Sequence, residues 1–258
     1  MSFIISENQG SIAVLRLNRP DKFNSFNREM ALQLQAAFDQ AAEDRSIRAV
    51  YLTGEGKAFC AGQDLSEAVD PNGPGIKTIV FEHYNPIITR IRSIDKPVIC
   101  AVNGVAAGAG ANIALSCDVV IAGSSASFIQ AFSKIGLIPD SGGTFFLPRL
   151  VGFQRASALM MLGDKVSAAD ALQMGMLYKV CEDGKLQEEA MAVARTLAGM
   201  PTKGLALTKR LLNQSMTNML SEQLEAEGKE QIEAAGTYDY NEGVTAFLEK
   251  RKPLFKGE

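Results

Sequence analysis

Two stretches of small residues follow β-prone runs in this chain and could do chemistry. One is Phe59-Cys60-Ala61-Gly62-Gln63-Asp64-Leu65. The other runs from Asn103 through Gly104, Gly108 and Gly110 to Ala111. Small side chains let a ligand approach the backbone closely, and a helix start leaves N–H groups without intrahelical partners. One N–H from each stretch, aimed at a single carbonyl oxygen, would form an oxyanion hole, where each donor contributes ~10²–10³ in rate. Glycine clusters also serve tight packing, and composition leaves both readings open.

Other chemistries fit less well. The glycines of the second stretch suggest a dinucleotide-binding turn, but Gly108-x-Gly110 needs a third glycine at 113, where the chain has Ile113. No Gly-Lys-Ser/Thr occurs for a phosphate loop. The single histidine, His83, lies in a helical pattern without a nucleophile-elbow motif, so it reads as a structural or pocket-edge residue. Cys60, Cys100, Cys117 and Cys181 sit in apolar settings with no CxxC spacing. They read as reduced, buried thiols of a cytoplasmic protein, and no metal site is expected.

The elements that must position these segments can be read from periodicity. Ile12–Leu17 is a β-prone run ended by Asn18-Arg19-Pro20. Met30, Leu34, Ala37, Phe38 and Ala41 fall on one helical face. Ala49–Leu52, Pro97–Val102 and Val119–Ala122 read as buried parallel strands. Residues 70–75 are a loop, and one helix is expected near Thr78–Ile94. Strands alternating with helices predict an α/β fold. From Phe153 onward the pattern is nearly all helical, with a cap at Ser167 and a break at Pro201. The division expected is a core over 1–200 and a helical region over 201–258.

The chain has 258 residues, 47% hydrophobic and 21% charged, with a net charge of −3 and a pI near 5.4. That composition supports a real core. No basic stripe suits nucleic acid, and no signal peptide is recognised at the N-terminus. No apolar run reaches the ~18 residues of a membrane span.

Five collinear segments, spanning about residues 5–256, resemble the crotonase (enoyl-CoA hydratase/isomerase) family. They are LNRPDKFNSF, FCAGQDL, KPVICAVNGVAAGAGANIALSCDVVIA, FSKIGLIPDSGGTFFLPRLVG and EGVTAFLEKRKPLF. The resemblance implies a spiral of β-β-α units with a C-terminal helical trimerisation layer. It also implies an acyl-CoA substrate, no separate cofactor, and a homotrimer or dimer of trimers. Matched by position, the oxyanion donors are the backbone N–H groups of Gln63 and Ala109. CoA would lie near Lys22, Ala61, Asp64 and Leu65, with Phe247 and Lys250 reaching the CoA of a neighbouring subunit. A solvated helix lysine is an equal reading of Lys250.

The chain departs from the family's hydratase pattern. Typical hydratases hold water between two glutamates, and here those positions are Asn112 and Phe132. An acid appears instead in Ile138-Pro139-Asp140-Ser141-Gly142-Gly143, where some family members with other chemistries carry a working aspartate. Asp140 as the catalytic residue would shuttle a proton in an apolar pocket edged by Tyr84, Asn112 and Phe132. The segments VDPNGPG, HYNP, AFSKIGLIPDSGGT and DYNEGVTAFLEKRKPLF resemble a narrower branch of bacterial phenylacetate degradation. That branch converts ring-1,2-epoxyphenylacetyl-CoA to oxepin-CoA and shifts 3-enoyl-CoA to 2-enoyl-CoA. The alternatives are an enoyl-CoA hydratase with a displaced acid and a non-catalytic acyl-CoA- or RNA-binding relative.

Overall fold

A computed structural model describes residues 2–258. The chain opens with a hairpin, β1 (Ile4–Gln9) and β2 (Ile12–Leu17), turned at Gly10-Ser11, where Gly10 has φ +60°. Helix α1 (Arg28–Glu43) follows, then β3 (Ala49–Gly54) and β4 (Ala58–Cys60). Two single-turn helices come next, α2 (Leu65–Ala68) and α3 (Gly75–Thr78), and a π-helical turn, Ile79–Tyr84, joins α3 to α4 (Asn85–Ser93). The central run is β5 (Val98–Val102), β6 (Val105–Ala107), α5 (Ala109–Leu115), β7 (Val119–Gly123) and β8 (Ser127–Ile129). Beyond it lie α6 (Gly143–Val151), α7 (Phe153–Leu162), β9 (Lys165–Ser167), α8 (Ala168–Met174) and β10 (Lys179–Cys181). Helices α9 (Leu186–Ala198), α10 (Thr202–Gln214), α11 (Leu220–Ala235) and α12 (Tyr238–Leu248) complete the chain.

The strands form two sheets. The larger has the order β1-β2-β3-β5-β7-β10, parallel from β2 onward, and the smaller has the order β4-β6-β8-β9. The period of two along the central strands sorts their side chains between two cores. Ile12, Val14, Ala49, Tyr51, Ile99, Ala101 and Ile121 face Leu186, Ala190, Ala194 and Ala198, an i, i+4 stripe along α9. Ala13, Leu15, Val50, Leu52, Val98 and Cys100 face the main core, which takes in the buried face of α1. Both faces are covered, so these strands read as continuous apolar runs.

The helix expected over Thr78–Ile94 is interrupted. Pro86 lacks an N–H, and its ring crowds the carbonyl four residues back. The turn before it widens to the π spacing, with Asn85 N–H bonded to Val80 O. This widening buries Tyr84. Strands β8, β9 and β10, three residues each, carry too little pattern to be anticipated; tertiary pairing makes them strands. From Thr202 on the regular elements are α10, α11 and α12, so the chain beyond Pro201 is helical, as the periodicity indicates. Among the described residues, no helix is long and apolar enough to cross a membrane, and no cluster of three His, Cys, Asp or Glu could hold a metal.

Candidate active site

Strands β4 and β6 are parallel neighbours, with Ala58 opposite Val105 and Cys60 opposite Ala106. The chain therefore leaves both strands at the same sheet edge, where ligands of parallel sheets usually bind. Glycine makes the approach possible. A Cβ on Gly110 would lie 2.7 Å from both Cβ and Sγ of Cys60, so α5 packs directly on β4. A Cβ on Gly62, at φ +92°, would lie 2.9 Å from Ala107 O and 3.6 Å from Ala109 N. The two turns abut.

Gly108 takes φ +52° and ψ −127°, a conformation essentially confined to glycine, and starts α5 so that Ala109 is its first residue. Among the described residues no protein acceptor takes the backbone N–H of Gln63 or of Ala109. The flanking groups are tied down: Phe26 N–H donates to Gly62 O at 2.7 Å, and Asp64 N–H donates to Phe26 O at 2.8 Å. The two free donors thus sit on a fixed backbone beside each other.

Both border a cavity of about 540 Å³, with Ala61, Leu65, Tyr84, Phe132 and Asp140 also in its wall. Ile76, Ile79, Val80, Ile135, Leu137 and Ile138 make most of the rest apolar. Phe132 stands on a 3-10 turn, Ala131–Ile135, with its ring against Gly108. Tyr84 packs edge-on to Phe26 at 5.8 Å and donates from its hydroxyl to Gln63 Oε1 at 2.8 Å. Gln63 Nε2 donates in turn to Glu67 Oε2 at 2.9 Å. The Tyr84 hydroxyl is held well above its ordinary pKa by burial, so it remains a donor.

Asp140 ends the Ile138-Pro139 approach. Ser141 and Gly142 follow at φ +51° and +72°, and Gly143 N–H closes the turn on Asp140 O at 2.8 Å. Ser141 Oγ donates to Asp140 Oδ1 at 2.9 Å. Burial raises the Asp140 pKa, and the Ser141 hydrogen bond opposes it only partly. Among the described residues, Asp140 is the one carboxylate in the cavity wall.

The remaining expected residues divide. Ala61 is in the cavity wall, whereas Lys22 is not; Lys22 is exposed next to Phe23, whose carbonyl accepts from Ala61 N–H at 2.9 Å. Asp64 is near but occupied: it pairs with Arg19 at 2.9 Å and caps α2 through Ser66, contacts that lower its pKa against the effect of burial. Phe247 and Lys250 lie on and just after α12, outside this cavity; Phe247 borders a separate groove with Pro201 and Phe255. Asn112, expected in the acyl pocket, is not in its wall. It is 1% exposed, and its amide binds Asp140 O and Gln130 behind that wall. His83 is buried away from the cavity, with Nε2 3.3 Å from the Arg28 guanidinium, and burial and Arg28 lower its pKa. Sequence reasoning missed the Tyr84–Gln63–Glu67 relay and the Ser141 hydroxyl. Adjacency to Asp140 was the available signal for Ser141; the i, i+4 spacing was the one for Gln63–Glu67, whereas Tyr84 is 21 residues from Gln63 and meets it only in the fold.

A family model described as Enoyl-CoA hydratase/isomerase matches residues 7–258. The chain belongs to the enoyl-CoA hydratase/isomerase family. A 1,2-epoxyphenylacetyl-CoA isomerase of Escherichia coli (strain K12) is 49% identical over the full length of both chains. A trans-2-decenoyl-[acyl-carrier-protein] isomerase of Streptococcus mutans is 37% identical, covering 96% of this chain and 95% of that one. The crystal structure of an enoyl-CoA hydratase from Bacillus anthracis superposes with a TM-score of 0.93 at 34% identity, covering both chains fully. The fold is therefore the crotonase fold, and the protein is an enzyme of a family that includes both hydratases and isomerases.

Proposed function

We propose that this enzyme is an acyl-CoA isomerase that moves a proton between substrate carbons without adding water. The observation that carries the reading is the single carboxylate, Asp140, in a mostly apolar wall beside two free backbone N–H groups. The thioester carbonyl accepts from Gln63 N–H and Ala109 N–H, which stabilise the negative charge that grows on its oxygen. Asp140 takes a proton from the carbon next to the carbonyl. The electron pair left behind delocalises into an enolate. Returned at C4, the same proton converts a 3-enoyl-CoA to a 2-enoyl-CoA, and nothing is gained or lost. Ring-1,2-epoxyphenylacetyl-CoA to oxepin-CoA is likewise an isomerisation, and the 49% identical relative bears the name of that isomerase. No cofactor takes part in this scheme, since CoA belongs to the substrate.

Hydration needs a water held for attack, usually between two carboxylates. Phe132 fills one of those positions with a ring, and the Asn112 amide is committed behind the wall. Asp140→Asn tests the assignment, because it keeps shape and removes the base. Isomerase turnover is expected to fall ~10²-fold or more, with acyl-CoA binding retained. Near-normal turnover in that variant removes Asp140 from the mechanism.

A further inference from the structure

Asp140 is held by more than its own turn. Its carbonyl oxygen accepts two hydrogen bonds, from Gly143 N–H and from Asn112 Nδ2, each 2.8 Å long. Asn112 is on α5, one turn after Ala109, and 28 residues separate it from Asp140 in sequence. Its own oxygen accepts from Gln130 Nε2 at 2.8 Å. Asn112 and Gln130 are 1% and 4% exposed. Asp140 O can only accept, so it fixes the amide with nitrogen toward it and oxygen toward Gln130 Nε2; Gln130 Oε1 is itself buried without a partner among the described residues. The fit around it is close, since a Cβ on Gly143 would lie 2.8 Å from Asn112 Cγ.

The bond falls at a strained place. Ser141 is a non-glycine residue at φ +51°, buried at the start of the turn that aims Asp140. Such a conformation is costly and persists only where the surroundings enforce it. The Asn112 bond fixes the peptide immediately before that residue. It also ties the Asp140 turn to α5, the helix whose first N–H is the Ala109 oxyanion donor. The base and the hole are thereby held at one separation.

We propose that Asn112 is a positioning residue for Asp140: its amide, held between the Asp140 carbonyl and Gln130 Nε2, locks that carbonyl to α5 and so sets the carboxylate against the oxyanion donors. The inference rests on the reading of Asp140 as the base. It gives the hydratase position a different duty here: side-chain donation to the backbone of the base. A carboxylate at 112 would oppose two acceptors, its own oxygen and the Asp140 carbonyl.

Asn112→Asp is the direct test, read above the pKa of the introduced carboxyl, which burial raises: ionised, it keeps the shape and the acceptor for Gln130 but has no donor. In 3-enoyl-CoA isomerisation, kcat is expected to fall about tenfold or more, the scale of a misaimed catalytic group, with KM within about threefold of the parent. The deficit relative to the parent narrows as pH falls, because the protonated carboxyl regains an O–H that can donate to Asp140 O. Gln130→Glu provides a second route: it replaces the donor to the Asn112 oxygen with an acceptor that competes with Asp140 O for Asn112 Nδ2, and lowers kcat in the same direction without touching the cavity wall. In an Asp140→Asn background, Asn112→Asp costs no further turnover. Wild-type kcat in both single variants, with Asp140→Asn inactive, overturns this proposal alone. A pH-independent deficit in Asn112→Asp overturns it too and leaves a packing role. An active Asp140→Asn enzyme overturns the reading beneath it.

Discussion

Asp140 carries a carboxyl that burial makes reluctant to ionise. Its pKa in the folded enzyme is above the ordinary value, so the proposed base is lost on acidification earlier than an exposed aspartate would be. Between the unfolded value, about 3.9, and the raised folded value, the native state binds the extra proton, and stability falls as pH rises. Above the folded value the whole penalty is present; below about pH 4 it is gone. Two outcomes follow together. The acid limb of kcat for 3-enoyl-CoA isomerisation should fall above the usual carboxylate range. Asp140→Asn should melt at a higher temperature than the parent at pH 7, with the gain disappearing toward pH 4. An unchanged melting temperature at pH 7 would contradict the desolvation account. Asp140, Gln63 and Ala109 are legible in the sequence once the segments that contain them are matched to the family. The role proposed for Asn112 is not, because its partners, Asp140 O and Gln130, are distant in sequence and meet it only in the fold.

At the scale of elements, the proposed oxyanion geometry depends on how closely α5 packs on β4. Gly110 permits that contact, and any side chain there meets backbone and sulfur of Cys60. Gly110→Ala should push α5 from the sheet and part the Ala109 and Gln63 N–H groups. The expected result is ~1–3 kcal/mol of destabilisation and at least a tenfold loss in kcat/KM, the scale set by one oxyanion donor. Thermal melts and steady-state kinetics of the purified variant measure both. The helices and long strands that carry this geometry are largely legible from pattern. Ile12–Leu17 is recovered residue for residue, and every member of the predicted α1 face is buried. The π-helical turn at Ile79–Tyr84 is not, since its pattern is helical throughout and only Pro86 hints at the change of spacing. That turn carries Tyr84, whose hydroxyl holds the Gln63 side chain, so the missed element is also part of the site.

Over the whole molecule, α11 and α12 leave Leu220, Leu224, Ile232, Phe247 and Leu248 well exposed. Apolar surface of this extent usually marks a contact, and the proposal of a trimer or a dimer of trimers gives it a partner. Light scattering should return a mass near three or six times 27.7 kDa; a stable, active monomer would refute the assembly and with it any role of Lys250 across subunits. The central claim is that this crotonase-fold enzyme isomerises and does not hydrate. The most direct test assays purified protein side by side on crotonyl-CoA hydration, 3-enoyl-CoA isomerisation and isomerisation of ring-1,2-epoxyphenylacetyl-CoA. Clear turnover in both isomerisations with weak or absent hydration is the predicted result. Hydration of crotonyl-CoA with kcat/KM reaching ~10⁶ M⁻¹s⁻¹, typical of a good enzyme, would contradict it.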